Sequence, residues 1–382
     1  MPTDLEQTPE GAGGTAEAMR QGEIARDDTL SPVPAGRAYG VGTTFADDFI
    51  AAENVEEHDG GPGIEARGYW AGIWLRLKKD KLALAGGVFI PILFLVAFVG
   101  APVAAHFIGH GPNEPFFASG GVDAELLPAK PLTYVQAITA TGSEKQILVL
   151  GGDSTLGRDE FLRILYGAQV SLEVAVGATL IAMLLGLLLG AVAGFYRGYA
   201  DTVISRVTEI TMAFPYLLFV IALASTVGSR LDKVTFGFLG RGVVTLVIVF
   251  GLFSWFYSAR VFRGITLSLR EKEFVEAARM VGASDWRIVR SHILPHLMGP
   301  LIVFSTLSIA AFILAEAGLS FLGLGIKLPT SSWGTLLAQA PNFYTTRPML
   351  MVWPGIALLL TTLAFNLLGD GLRDAFDPRG SR

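Results

Sequence analysis

Four histidines form two pairs whose spacing could hold a metal ion. His106 and His110 lie four residues apart, as do His292 and His296, and on a helix this spacing places both rings on one face. No acidic neighbour completes an H-E-x-x-H pattern in either pair, and Pro295 interrupts the second. We therefore interpret all four as histidines at a membrane interface and predict no metal site.

Cysteine and a P-loop sequence are both missing from the chain. It contains no cysteine and no G-x-x-x-x-G-K-[ST] sequence. This excludes disulfide scaffolds, thiolate metal sites, cysteine nucleophiles and a P-loop. The remaining candidate functional residues are charged side chains next to long apolar segments. Their roles depend on how those segments are arranged in the fold.

Composition divides the chain into two unlike parts. The 382 residues are 51% hydrophobic and 16% charged, whereas a soluble domain is about 25% charged. Residues 1–67 carry 14 acidic and 4 basic side chains and the remainder carries 20 and 25, so their net charges are −10 and +5. The first part is rich in Gly, Pro and acids and has no apolar period, which predicts a disordered, solvated cytoplasmic tail. Nothing in this balance indicates a nucleic-acid partner.

Six windows are apolar and long enough to cross the roughly 30 Å hydrocarbon core of a bilayer. We number them spans one to six, at residues 82–107, 171–194, 210–228, 242–259, 297–319 and 349–368. A soluble core helix rarely stays apolar on every face for this length. The sequence therefore predicts an all-α membrane protein with six transmembrane helices in a lipid bilayer.

The orientation follows from the density of Lys and Arg in the connecting segments. With both termini in the cytoplasm, the cytoplasmic segments hold 17 such residues in 80 and the opposite segments hold 9 in 105. Positive residues are enriched on the cytoplasmic side. We therefore predict cytoplasmic N- and C-termini.

Residues 68–110 are predicted to be an interfacial segment followed by the first transmembrane helix. Aromatic and cationic side chains precede span one, namely Trp70, Trp74, Arg76, Lys78, Lys79 and Lys81. Such residues place aromatic rings at headgroup level and cations against anionic lipid. Residues 111–164 form the extracytoplasmic segment, which has no cysteines and must be held by packing, and residues 165–376 form the core domain.

Small residues and prolines mark positions of close packing or bending inside the spans. Gly186, Gly190 and Gly194 repeat every four residues on one helix face, which lets a neighbouring backbone approach closely. Pro91, Pro215 and Pro354 each remove a helix hydrogen bond, either as static kinks or as moving joints.

Glu316 is the most deeply embedded carboxylate, near the outer end of span five. A charge at this depth must be paired or hydrated. It could line a translocation path or an outer gate, or it could bind a neighbouring helix, and the sequence leaves both interpretations open.

The cytoplasmic stretch 271–295, EKEFVEAARMVGASDWRIVRSHILP, joins spans four and five. Residues 271–281 favour a helix with acids in its first turn, where the helix dipole stabilises them. Gly282 stands where a left-handed residue would end that helix. Ser284 or Asp285 can then cap a second short helix that runs toward Pro295, which predicts a helix–turn–helix.

One face of the first predicted helix suits contact with a partner, because Ala277 and Ala278 leave a low surface beside the charges of Glu276 and Arg279. The order Glu-Ala-Ala, three residues, Gly282 and a run ending in Leu-Pro resembles the EAA loop of ABC importer permeases, although His292 replaces the usual isoleucine. In that family the loop inserts into a cleft of the ATPase subunit. The resemblance assigns this coupling role to Glu276, Ala277, Ala278, Arg279, Gly282, Ala283, Leu294 and Pro295.

A second resemblance narrows the branch. Gly157-Arg158-Asp159, followed by Arg163, Tyr166-Gly167 and Ser171-Leu172, is similar to the GRD…R..YG.R.SL segment of dipeptide/oligopeptide importer permeases. The segments 316–325 and 366–374 also look like that branch, and the similarity runs from about 150 to 379. By default we interpret Arg158 and Asp159 as an ion pair that orders the start of span two; contact with a solute-binding protein is the alternative.

The resemblance implies a transport subunit and no enzyme. It would form the pathway for peptides, with a second permease subunit as partner, in a prokaryotic inner membrane. Two ATP-binding subunits would bind ATP and Mg, so no cofactor is expected on this chain, and an extracytoplasmic binding protein would deliver the solute.

Other interpretations stay open. The same branch includes importers of nickel complexes, glutathione, opines and sugars. A secondary transporter would use paired intramembrane charges in symmetric halves, and neither is visible. A membrane-anchored scaffold would depend on residues 1–60, whereas a permease should transport without them.

Overall fold

The computed structural model describes residues 69–139, 142–234 and 242–377. The predicted tail, residues 1–67, lies outside these ranges, so its disorder stays a prediction.

Helices make up most of the described chain. They are α1 (Tyr69–Leu77), α2 (Lys81–Ile108), α3 (Glu160–Tyr196), α4 (Gly198–Ala213), α5 (Tyr216–Val234), α6 (Val243–Arg270), α7 (Glu273–Met280), α8 (Asp285–Phe321), α9 (Trp333–Gln339) and α10 (Met349–Phe376). Five are long and apolar enough to cross a membrane (α2, α3, α6, α8 and α10), and the bent pair α4–α5 can supply a sixth span. The predicted all-α, multi-pass fold is confirmed.

A hairpin that the sequence analysis did not predict lies in the segment between α2 and α3. Strands β1 (Thr133–Thr139) and β2 (Gly142–Leu148) pair antiparallel, with Thr133 opposite Leu148. Val135 and Leu148 are buried together with Phe116 and Ala129 in a small core of their own. This segment is therefore held by packing, as expected for a region without disulfides.

Helix α2 agrees with span one to within one residue at each end. It starts after Asp80, whose Oδ1 accepts hydrogen bonds from the amides of Leu82 (2.9 Å) and Ala83 (3.1 Å), as an N-cap should. A π turn at Val96–Gly100 comes just before Pro102. Since proline has no amide hydrogen and crowds the preceding turn, the wider turn accommodates it.

Helices α3 and α6 pack along the predicted glycine face. A Cβ atom at Gly190 would lie 2.6 Å from the carbonyl oxygen of Ala259, and one at Gly194 would lie 2.7 Å from that of Arg263. Only glycine permits this approach of two backbones, so the predicted packing role is confirmed.

The central core lies between α3, α6 and α8. Phe250 stacks on Phe312 with ring centroids 5.5 Å apart, and Leu172 and Leu246 are buried beside them. Trp333 belongs to the same core, and its indole Nε1 donates to the carbonyl of Ile164 at 3.2 Å. The short helix α9 is thereby fixed to α3.

Span three, predicted over 210–228, is not one straight helix. The chain bends by 87° between α4 and α5, where Phe214 is extended (φ −85°, ψ 138°). A residue before proline is pushed out of the helical region, and Pro215 follows Phe214. On the α4 side of the bend, Asp201 accepts two hydrogen bonds from Arg263 of α6, at 2.5 and 2.8 Å.

Several helices are longer than their apolar windows. Helix α3 begins at Glu160 instead of residue 171, and α6 continues past residue 259 to Arg270. Hydropathy locates the hydrocarbon core but not the polar ends of a helix. These ends position the candidate site described next.

Candidate coupling site

Helix α7 ends in a Schellman motif built around Gly282. Gly282 has φ +85°, its amide donates to Arg279 O (2.9 Å), and the amide of Ala283 donates to Ala278 O (3.0 Å). This pair of bonds satisfies the last carbonyls of a helix and needs a left-handed residue. The predicted glycine cap is confirmed, and the helix is shorter than 271–281.

The outward face of the loop is more apolar than its sequence pattern indicates. Glu276, Ala277 and Arg279 are exposed and Ala278 is half-buried. The adjacent large side chains are also exposed, by 83% for Met280, 90% for Val281 and 62% for Trp286. Three such side chains on one loop are typical of a contact surface. The prediction from the sequence missed them because it considered only the small residues and the charges beside them.

The inward face fixes the loop to the ends of α3 and α6. Val275 of α7 and Ile288, Val289 and Ile293 of α8 are buried in one cluster with Phe195, Phe262 and Leu269. Apolar burial of this kind holds the two short helical pieces against the long helices. A displacement of the loop must therefore also move the C-terminal ends of α3 and α6.

Arginines add directed contacts to this junction. Arg270 Nη1 donates to the carbonyl of Phe195 at 2.6 Å, near the C-terminal end of α3, where unpaired carbonyls favour a cation. The guanidinium group of Arg279 lies 5.7 Å from the Phe195 ring, within cation–π range. Arg197 and Glu271 form an exposed ion pair at 2.5 Å.

The second half of the loop differs from the prediction at Ser284 and at Pro295. Ser284 occupies the N-cap position but makes no side-chain cap bond. The helix then continues without a break through Pro295, because a π turn at Val289–Ile293 comes just before Leu294 and Pro295. Pro295 therefore does not interrupt the second histidine pair, and His296 Nδ1 lies 2.6 Å from the carbonyl oxygen of His292.

Glu316 is fully buried and bonded to serines of three elements. Its Oε2 accepts from Ser171 of α3 at 2.7 Å and its Oε1 from Ser320 of α8 at 2.6 Å. Ser332, just before α9, adds a third side-chain hydrogen bond. The carboxylate therefore joins α3, α8 and the start of α9. Its role in a pathway or gate stays a prediction.

Arg158 and Asp159 do not pair with each other. Arg158 binds Asp153 at 2.7 Å, while Asp159 lies 3.0 Å from His110 Nε2 and caps α3 through the amide of Phe161 at 2.8 Å. The default interpretation, an ion pair between these two residues, is therefore wrong, because each binds a different side chain. Both side chains are buried, so in this conformation neither presents its charge to an external protein.

Three further residues of this cluster were not identified as site residues from the sequence. Arg163 Nε lies 2.7 Å from Asp153, so one carboxylate serves two buried guanidinium groups. His110 also contacts Gln146 at 2.9 Å and is buried, so its ring binds protein groups; its depth at the membrane interface stays a prediction. Asp153 precedes the recognised Gly-Arg-Asp triplet by only a few residues, and that proximity was the available signal.

The chain matches two sequence models of known families. The sequence model described as "binding-protein-dependent transport system inner membrane component" matches residues 186–382, just over half of the chain. The chain belongs to this family. A second model, described as the N-terminal TM domain of oligopeptide transport permease C, matches residues 68–118 of the permease. The molecule is thus an ABC importer inner-membrane permease of the peptide/nickel branch.

Curated relatives of the permease carry a more specific name. The glutathione transport system permease protein GsiD of Escherichia coli O6:K15:H31 is 36% identical over 315 residues, covering 82% of this chain and 92% of its own length. The protein of the same name from Pectobacterium atrosepticum is 36% identical over 310 residues, covering 81% and 91%. The family resemblance therefore extends beyond residues 150–379 to include α1 and α2.

Proposed function

We propose that this permease pairs with a second permease subunit to form the pathway through which an ABC importer takes up short peptides, with glutathione as the first candidate. The coupling loop carries the proposal. Its inward face is buried against α3 and α6, and its outward face exposes Met280, Val281 and Trp286. Such a surface fits a groove of an ATPase subunit and would pass its motion to the spans.

The choice of solute rests on two observations. Relatives at 36% identity are named for glutathione transport, and the N-terminal match is to an oligopeptide permease. Glutathione is itself a tripeptide, so both names describe one chemical class. Nickel complexes, opines and sugars are the competing solutes.

The proposal places both termini and the coupling loop in the cytoplasm. The β1–β2 hairpin and α9 then lie on the side of the solute-binding protein. ATP and Mg would be bound by two ATPase subunits, which leaves this chain without a cofactor. ATP binding to those subunits would shift the equilibrium between two conformations of the pathway.

Co-purification from the native membrane is the first test. We expect the parent to retain an ATPase subunit and a second permease, and Glu276→Lys, which reverses an exposed charge on the docking face, to lose the ATPase. Arg206→Glu is the matched control, because Arg206 is an exposed charge on α4 outside the loop. Recovery of this chain alone from several detergents would contradict the proposal and indicate a self-sufficient carrier.

Transport by the reconstituted complex then tests the solute. Labelled glutathione, an alanine dipeptide and a nickel complex are supplied with the binding protein and ATP. ATP-dependent uptake of glutathione or dipeptide supports the proposal, and uptake of nickel alone contradicts it. Deletion of residues 1–60 should leave uptake intact, whereas loss of uptake would favour the scaffold interpretation.

A further inference from the structure

The first helix, α1, has one apolar face that is only partly buried. Ile73 and Leu77 are buried against Phe376 and Ala375 at the end of α10. Trp70 and Trp74 have the three- and four-residue spacing that places them beside this pair, and they remain 58% and 52% exposed. Exposed aromatic side chains of this kind are typical of a contact surface.

The end of α10 holds α1 in place. The ring of Trp70 meets that of Phe376 edge to face, with centroids 6.1 Å apart. Arg76 Nη1 donates to the carbonyl of Asp377 at 3.1 Å. Helix α1 is therefore a fixed part of the fold and not a loose leader before α2.

Cations lie beside the exposed aromatic rings. Lys78 Nζ lies 5.1 Å from the centroid of the Trp74 ring, and Lys78, Lys79 and Lys81 are all exposed. A turn separates α1 from α2, and Asp80 in that turn is engaged as the N-cap of α2. The three lysine charges are thus available at the level where α2 begins.

The position of α2 indicates the depth of α1. Helix α2 is a candidate membrane span from its first residue, Lys81, and its apolar side chains Leu82, Val88 and Ile92 are exposed. Helix α1 ends at Leu77, four residues before this span begins, so we place its exposed rings at headgroup depth. Trp at this depth with adjacent lysines is the pattern of a helix that binds an anionic interface.

We propose that α1 and the following turn form an anionic-lipid site, in which Trp70 and Trp74 insert at headgroup level while Lys78, Lys79 and Lys81 bind lipid phosphates. Because α1 is bonded to the end of α10, bound lipid also anchors the last span. The proposal does not depend on which solute is transported or on which side of the membrane the termini lie.

Lipid retention by the full-length chain, in nanodiscs of phosphatidylcholine with graded phosphatidylglycerol, tests the site. We expect Lys78→Gln/Lys79→Gln/Lys81→Gln to lower the retained phosphatidylglycerol severalfold, since each lysine near an anionic surface contributes about fivefold in affinity. Lys130→Gln/Lys145→Gln is the matched control, because it removes exposed lysines near the β1–β2 hairpin. Equal retention by the parent and the triple variant would overturn the proposal.

Two further experiments distinguish lipid from other ligands of this site. Lipids brominated near the headgroup should quench a fluorescence component that disappears in Trp70→Phe/Trp74→Phe and persists in Trp286→Phe; absence of that component would overturn the proposal. Millimolar inorganic phosphate should not displace the lipid, whereas displacement would indicate a free-anion site. Lipid binding seen only after deletion of residues 1–60 would instead identify the acidic tail as the occupant.

Discussion

The amide of Ala283 donates a hydrogen bond to the carbonyl of Ala278, 3.0 Å away. This bond turns the chain back across the end of α7 and sets the direction in which α8 leaves the loop. It forms only because Gly282, between the two residues, adopts a left-handed conformation.

Gly282→Val should uncouple the permease from its ATPase without preventing membrane insertion. No atom lies within 4 Å of a Cβ built at Gly282, so the cost is conformational: about 1–2 kcal/mol for a left-handed residue, and more for a β-branched one. The measurement is substrate-stimulated ATP hydrolysis by the reconstituted complex. Gly264→Val is the control, because Gly264 is helical and its Cβ also meets no atom. Equal coupling in both variants would show that the cap is unimportant.

Substitutions at Glu316 should separate a structural role from a role in the pathway. Glu316→Ala leaves the hydroxyl groups of Ser171 and Ser320 without their buried acceptor, which should cost about 1–3 kcal/mol, whereas Glu316→Gln keeps an acceptor oxygen. We expect thermal stability in detergent to fall for Ala and to change little for Gln. If the Gln variant is as stable as the parent but does not transport, the carboxylate acts in the pathway.

Asp153→Asn should strongly destabilise the segment between α2 and α3. It removes the carboxylate that serves the buried Arg158 and Arg163, and breaking a buried ion pair typically costs about 3 kcal/mol or more. Protease cleavage between α2 and α3 should become faster. Glu209→Gln is the matched control, because its pair with Arg206 is largely exposed and should contribute little. Similar cleavage of both variants would contradict the prediction.

The bend between α4 and α5 can be measured directly. The chain has no cysteine, so Tyr199→Cys and Ser225→Cys would be the only labelling sites for spin labels. From the 87° bend and the rise of a helix, we expect about 28 Å between the labelled backbones, against about 39 Å for a straight helix. Pro215→Ala should move the distribution toward the longer value. A parent distance near 39 Å would refute the bend.

Local features were predictable from the sequence, and features that depend on remote partners were not. The cap at Gly282 was predictable because a left-handed residue is usually glycine. The packing face at Gly190 was predictable because a Cβ atom there would collide with the neighbouring helix. The partner of Arg158 could not be deduced, because the adjacent Asp159 is bound instead by His110, 49 residues away in the sequence. Hydropathy selected residues 210–228 as a span because it measures apolar length but not the direction of an axis.

The unbroken path of α8 through Pro295 connects the two features that the sequence singled out separately. Asp285 lies in the coupling loop and Glu316 lies near the other end of the same helix, about 46 Å away at 1.5 Å per residue. A π turn precedes Pro295 and Pro300 lies within the same helix, yet the helix continues from Asp285 to Phe321. A displacement of its coupling-loop end would therefore be transmitted along one continuous helix to the serine-bonded carboxylate that joins α3, α8 and the start of α9.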